Sequence, residues 1–147
     1  MKALSITVIC LTAALIGGCA SLSQESKLNT FLEQHEAEVM PLQKEAALAY
    51  WRAATSGKAE DYDAYSALDL KLRQIYSDAD DYAYLRGLKA GAAIEDPLAV
   101  RQVDVLVNAF LTNQIEPDLL KQIVDLGTDI EKNFSTFRGT IDGEKVT

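Results

Sequence analysis

Leu28-Asn29-Thr30-Phe31-Leu32-Glu33-Gln34-His35-Glu36-Ala37-Glu38-Val39-Met40-Pro41-Leu42-Gln43-Lys44-Glu45-Ala46-Ala47-Leu48-Ala49 is the stretch that decides the fold class. Its apolar or small positions Leu28, Leu32, His35, Val39, Leu42, Ala46 and Ala49 step by four and three residues. That is the period of a helix packed along one face, whereas a strand needs an alternation that is absent here. Pro41 falls inside the stripe and has no backbone N–H to donate, which predicts a kink or a division near Met40. Thr55-Ser56-Gly57 marks the end, with glycine as the left-handed closing residue.

Working outward toward the carboxyl end, the helical pattern repeats. Ala59 to Tyr76 reads as a second helix, with Glu60, Asp61 and Asp63 in its first turn, where acids complement the helix dipole. Tyr62, Tyr65, Leu68, Leu72 and Ile75 are its expected buried face. A shorter helix is expected from Asp80 to Lys89, capped by Ser77 or Asp78 and stopped by Gly91. Asp96-Pro97 is an acidic cap followed by proline at the first helical position. It opens a helix to about Thr112 with Val100, Val103, Val107, Phe110 and Leu111 inward. Glu116-Pro117 repeats the device for a helix to Arg138, with Leu119, Ile123, Leu126, Ile130, Phe134 and Phe137 as its stripe and Gly139 as its stop. The expected fold is therefore all-α, an antiparallel bundle of about five helices. Thr140 to Thr147 reads as an extended pair, an Asp142-Gly143 turn and a second extended start. The sequence stops in mid-element there, which raises the expectation of a longer polypeptide.

Working outward toward the amino end, residues 1–18 have the order of an export signal: a charge at Lys2, an apolar run from Ile6 to Ile16, then small residues. The run is well short of the ~20 residues that cross a bilayer. Leu15-Ile16-Gly17-Gly18-Cys19 resembles the lipobox of bacterial lipoproteins, which implies acylation of Cys19, a tether over 19–27 and a helical region over 28–139. Two acyl chains suffice for stable anchoring. Ala20 and Ser21 lack the Asp that commonly retains such proteins at the inner membrane, so the outer membrane is the expected destination.

The chain carries a net charge of −8. Removal of the signal takes away Lys2 and no acid, leaving the remainder more acidic still. Nucleic acid is excluded as a partner, because it requires clustered Lys and Arg. The chain has two cysteines, Cys10 within the signal and Cys19 at the lipidation position. No disulfide is expected within the processed chain.

Catalytic chemistry is sparse because the chain has one histidine. His35-Glu36-Ala37-Glu38-Val39 begins like the zinc motif H-E-x-x-H, in which two imidazoles one helical turn apart flank a glutamate base. Val39 occupies the second ligand position, so no two-histidine zinc site can be assembled from this chain. His35 lies on the apolar stripe, where a hydrogen-bonded packing role is expected. Glu60-Asp61-Tyr62-Asp63 and Asp78-Ala79-Asp80-Asp81 lack a calcium loop with its central glycine and sit where helix starts attract acids. No Ser-His-acid arrangement and no phosphate-cradling glycine loop is visible. Tyr50 and Trp51 point in nearly adjacent directions at the end of the first helix. At most one fits a helix–helix seam while the other can face a cleft or an interface, and core packing is the expected role of the pair.

Glu45-Ala46-Ala47-Leu48-Ala49-Tyr50-Trp51-Arg52-Ala53-Ala54-Thr55-Ser56-Gly57, with Phe31-Leu32-Glu33-Gln34-His35 before it, resembles the amino-terminal helices of the peptidyl-dipeptidase A family. These are the zinc metallopeptidases that include angiotensin-converting enzyme. Ile75-Tyr76-Ser77, Asp96-Pro97-Leu98-Ala99-Val100-Arg101-Gln102, Asn113-Gln114-Ile115-Glu116-Pro117 and Phe134-Ser135-Thr136-Phe137-Arg138-Gly139 are similar to the corresponding segments of bacterial members. The thimet-oligopeptidase relatives share the same general architecture.

The resemblance implies a large helical body divided by a cleft. Phe31 to Ser56 and Ala59 to Tyr76 would be lid helices, and Val100 to Arg138 would be scaffold. It implies zinc for the full-length protein, none bound by this chain, and catalytic residues that map to no position here. The implied activity is removal of dipeptides from the carboxyl ends of oligopeptides. The implied partners are peptide substrates, the lipid membrane through Cys19, and the remainder of the same polypeptide. The alternative is a complete small helical envelope lipoprotein that acts as a binding or structural module. Five helices packed only on one another are expected to leave some of Trp51, Tyr50, Leu70 and Val105 exposed.

Overall fold

The computed structural model describes residues 2–91 and 94–146, with side chains described from residue 24 onward. Cys19 and the signal-like segment 1–18 lie outside the residues whose side chains are described. The chain is all-α apart from one small hairpin. Its elements are α1 (Lys2–Ser56), α2 (Ala59–Tyr76), α3 (Ala79–Gly91), α4 (Pro97–Leu111), α5 (Pro117–Thr136), β1 (Gly139–Ile141) and β2 (Glu144–Val146). Among the described residues, no helix is long and apolar enough to cross a membrane.

The caps follow from the residue types. Asp96 Oδ1 and Oδ2 accept from the N–H groups of Leu98 and Ala99 at 3.2 and 3.3 Å, and Pro97 enters helical geometry where no donor is lost. Glu116 accepts from Leu119 N at 3.1 Å in the same way. Asp78, rather than Ser77, starts α3, accepting from Asp80 N and Asp81 N at 2.9 and 2.8 Å. Ser77 instead donates its hydroxyl to the Gln74 carbonyl that ends α2. Gly57, at φ 68°, donates to the Ala53 carbonyl at 2.9 Å and closes α1. A side chain there would also press on Thr136 Cγ2, 3.3 Å away.

α1 packs along α2, α2 along α5, and α3 along α4. The stripe of α1 is buried or half-buried at every expected position, from Leu28 through Val39 to Ala46 and Ala49, and Ala53 extends it. Small side chains at Ala46, Ala49 and Ala53 let neighbouring helices lie close. Tyr62 of α2 and Leu120 and Val124 of α5 are buried on the facing elements. The other half of the core joins the middle of α1, from Leu28 to Leu32, to α3 and α4. There Leu28, Leu85, Leu88, Ile94, Ala99, Val103, Val107 and Phe110 form one cluster, with Phe31, Leu32, Tyr76, Tyr82 and Tyr84 against it.

Of the kink or division expected at Pro41, division does not occur: α1 is one helix through Pro41, with Val39 buried and Leu42 half-buried on its packed face. Two further expectations are corrected. In α4 the inward residues are Ala99, Val103, Val107 and Phe110, while Val100 and Leu111 face outward. α5 ends at Thr136, with Phe137 already extended at ψ 133°, and Gly139 begins β1 instead of ending the helix. The hairpin follows the sequence: β1 pairs antiparallel with β2, and Asp142 and Gly143 turn the chain with φ 52° and 86°.

Neighbouring positions in α4 give a direct check. Phe110 has no exposure, so Phe110→Ala is expected to cost about 3–5 kcal/mol. Leu111 is 54% exposed, so Leu111→Ala is expected to change stability by less than about 1 kcal/mol. Urea unfolding of the two variants beside the parent chain measures both.

Candidate functional site

The end of α1 brings the two singled-out aromatic residues to different surroundings. Tyr50 is 39% exposed, and its hydroxyl donates to Glu131 Oε1 of α5 at 2.8 Å. That hydrogen bond to a carboxylate holds the phenol above its ordinary value, because only the protonated form can donate. The Tyr50 ring meets Tyr65 of α2 edge-on, with centroids 5.2 Å apart. A cavity of about 210 Å³ opens beside them, lined also by Asp69, Arg73, Gly127 and Thr128. Arg73 Nε donates to Asp69 Oδ2 at 2.9 Å within this lining. The Tyr50–Glu131 hydrogen bond joins α1 to α5, and the Tyr50–Tyr65 ring contact joins α1 to α2. Trp51, the next residue along α1, is 68% exposed.

His35 lies where four helices meet. Its ring stacks on Phe31 at 5.8 Å, meets Tyr76 of α2 edge-on at 5.2 Å, and lies 5.7 Å from Phe110 of α4. The expected packing role is found, but the expected hydrogen bond is not, since Nε2 is buried with no partner. Burial pushes the imidazole below its ordinary value, while Asp81 of α3 and Glu38 of α1 act in the opposite sense. The same burial holds the Asp81 carboxyl above its ordinary value. Among the described residues no group of three or more His, Cys, Asp or Glu is placed to hold a metal ion. The acidic runs act at helix starts, with Glu60 and Asp61 in the first turn of α2 and Asp78 capping α3.

The largest departure from sequence expectation is on α5. This helix turns Leu120, Val124 and Thr128 inward, against α2 and α1. The stripe expected to be buried faces outward instead: Leu119, Ile123, Leu126, Ile130, Phe134 and Phe137 are between 40% and 82% exposed. Ile141 and Val146 on the hairpin are exposed as well, as are Trp51 and Val105. Along the helix, Leu119, Ile123, Leu126, Ile130 and Phe134 lie on one side of α5. Spacing alone hid it, because α5 carries two apolar arcs and periodicity does not rank them. The i, i+4, i+8 run of Leu120, Val124 and Thr128 was the available signal for the inner one.

Comparison with known protein families, with curated proteins and with solved structures finds no match to this chain.

His35 yields a pH prediction. A folded-state pKa lowered from 6.5 means that the unfolded chain takes up the proton first, so the contribution of neutral His35 is present above that pH and is lost as pH falls below it. Chemical denaturation between pH 7.5 and pH 5 is expected to show a falling contribution in the parent chain that His35→Phe lacks. Parallel pH profiles for the two proteins would contradict it.

Proposed function

We propose that this chain is the amino-terminal helical region of a lipid-anchored, zinc-dependent peptidase of the bacterial envelope, of the peptidyl-dipeptidase type. In this reading its helices gate a cleft, and the zinc centre belongs to the remainder of the polypeptide. The observation that carries the proposal is the outward face of α5. A helix that holds its neighbours through Leu120 and Val124 while leaving Phe134 and Phe137 in water fits a scaffold element between a lid and a larger body.

The local resemblances support the same reading in their structural places. Tyr50 and Trp51 close the long α1, Asp96-Pro97 and Glu116-Pro117 open α4 and α5, and Phe134 to Gly139 spans the exit from α5. The chain's own contribution is positional. The single histidine is packed among aromatic rings, so bond-making chemistry falls to other residues. Acylation at Cys19 would put the α1 end of the unit at the membrane.

The test uses the product of the intact reading frame. It is expected to release carboxyl-terminal dipeptides from short blocked peptides, to lose that activity to a chelator and to regain it with zinc, whereas the 147-residue chain alone is expected to be inactive. A reading frame that closes directly after Thr147, or a product whose activity ignores chelation, would overturn the proposal.

The anchor is tested separately. Cys19→Ser is expected to move the protein from the membrane fraction to the soluble fraction and to remove a diacylglyceryl mass. Unchanged partition would count against lipidation.

A further inference from the structure

The cavity beside Tyr50 and Tyr65 gathers three features that the fold itself does not require. Arg73 donates from Nε to Asp69 Oδ2, and its two Nη groups have no acceptor among the described residues. Thr128 is buried in the cavity wall, and its hydroxyl has no hydrogen-bond partner among the described residues. The helix threonines Thr30, Thr55 and Thr136 instead donate to the carbonyl one turn back. Gly127 stands on the same wall in the interior of α5, where glycine weakens a helix relative to alanine. A Cβ there would meet nothing within 4 Å, so no packing neighbour demands the glycine and the space above it is open.

Charge and size define what fits. Asp69 and Glu131 in the lining carry one more charge than Arg73 balances, which disfavours a simple anion. A simple amine would meet the guanidinium, whose planar fork matches a carboxylate through two parallel hydrogen bonds. A zwitterion satisfies both signs. Glu131 accepts from Tyr50 through Oε1, and its Oε2 has no donor among the described residues. The cavity of about 210 Å³ equals about seven water molecules at ~30 Å³ each, room for a ligand of roughly nine non-hydrogen atoms. Ile123, Val124 and the rings of Tyr50 and Tyr65 make the rest of the wall apolar.

We propose that this cavity binds a free α-amino acid with a small aliphatic side chain, of valine or leucine size. Its carboxylate lies on Arg73 and accepts from the Thr128 hydroxyl, its ammonium donates to Asp69 and Glu131, and its side chain lies over Gly127. The proposal goes beyond the peptidase reading and does not depend on it.

The test is equilibrium dialysis of radiolabelled L-leucine against the full chain held in neutral phosphatidylcholine nanodiscs. Binding is expected to saturate at one leucine per chain with a Kd below about 1 mM. 4-Methylpentanoate, which lacks the amine, and 3-methylbutylamine, which lacks the carboxylate, are each expected to compete at least about tenfold more weakly. Gly127→Leu puts a side chain into the cavity without removing a polar group. It is expected to abolish binding while its melting temperature equals or exceeds that of the parent, since glycine is the poorer helix former. Thr128→Val keeps the shape of the wall, removes the hydroxyl and is expected to weaken binding roughly fivefold.

No saturable binding up to about 10 mM leucine, competition by 4-methylpentanoate as strong as by leucine itself, or a Gly127→Leu chain that keeps the parent affinity would each overturn the proposal. The dialysis uses the 147-residue chain and no zinc centre, so its outcome and that of the chelator assay are independent.

Discussion

A helix resting on a two-helix platform can bury only part of its circumference, and α5 has more apolar circumference than α1 and α2 can cover. Leu120, Val124 and Thr128 take the platform. Leu119, Ile123, Leu126, Ile130 and Phe134 are then left on the outer side, because a helix rotated to bury them would expose the inner three. The remaining structure accommodates this geometry. Tyr50 reaches across to Glu131 with a hydrogen bond between α1 and α5. Gly57 lets the end of α1 pass close to Thr136. Ile141 of the hairpin is exposed as well.

Much of the fold was legible in the sequence wherever a local rule had one outcome. Asp-Pro and Glu-Pro each admit one helix start, Gly57 and Asp142-Gly143 supply backbone conformations few residues adopt, and the stripe from Leu28 to Ala49 has one apolar arc to bury. The bounds of α2 follow from its acidic start and from Gly57 before it. The differences have separate causes. Where a helix has one apolar arc, periodicity identifies the inner face; where it has two, as in α5, the choice depends on neighbours distant in sequence. Val100 and Leu111 of α4 flank an arc whose centre is Val103, Val107 and Phe110, so the arc was found and its width overestimated. At Pro41 the missing donor and the ring's crowding of the preceding turn are local costs, and α1 continues across them with Val39 buried on its packed face.

The candidate site was less legible than the fold. Tyr50 and Trp51 stood out as neighbours that could not share one seam, but the residues that Tyr50 meets, Tyr65 of α2 and Glu131 of α5, come from helices whose approach no local pattern specifies. His35 was assigned to the packed stripe, and its place among Phe31, Tyr76 and Phe110 agrees with that, while its unpartnered Nε2 was outside what spacing can reveal. Tyr50 touches α2 and α5 from α1, and His35 touches α2 and α4 from α1. For a unit proposed to gate a cleft, such joints and an outward helix face are the relevant features.

The rotation of α5 is the claim on which the functional reading and the proposed ligand cavity both depend, and thiol labelling reads it directly. Single cysteines at Val124 and at Ile130, each in a chain whose Cys10 and Cys19 are changed to serine, report the inner and outer arcs. Cysteine at 130 is expected to react with a maleimide at nearly the rate of an unstructured peptide, and cysteine at 124 to be protected until the chain unfolds. Protection at 130 with rapid reaction at 124 would place the opposite face of α5 against α1 and α2 and would contradict the account.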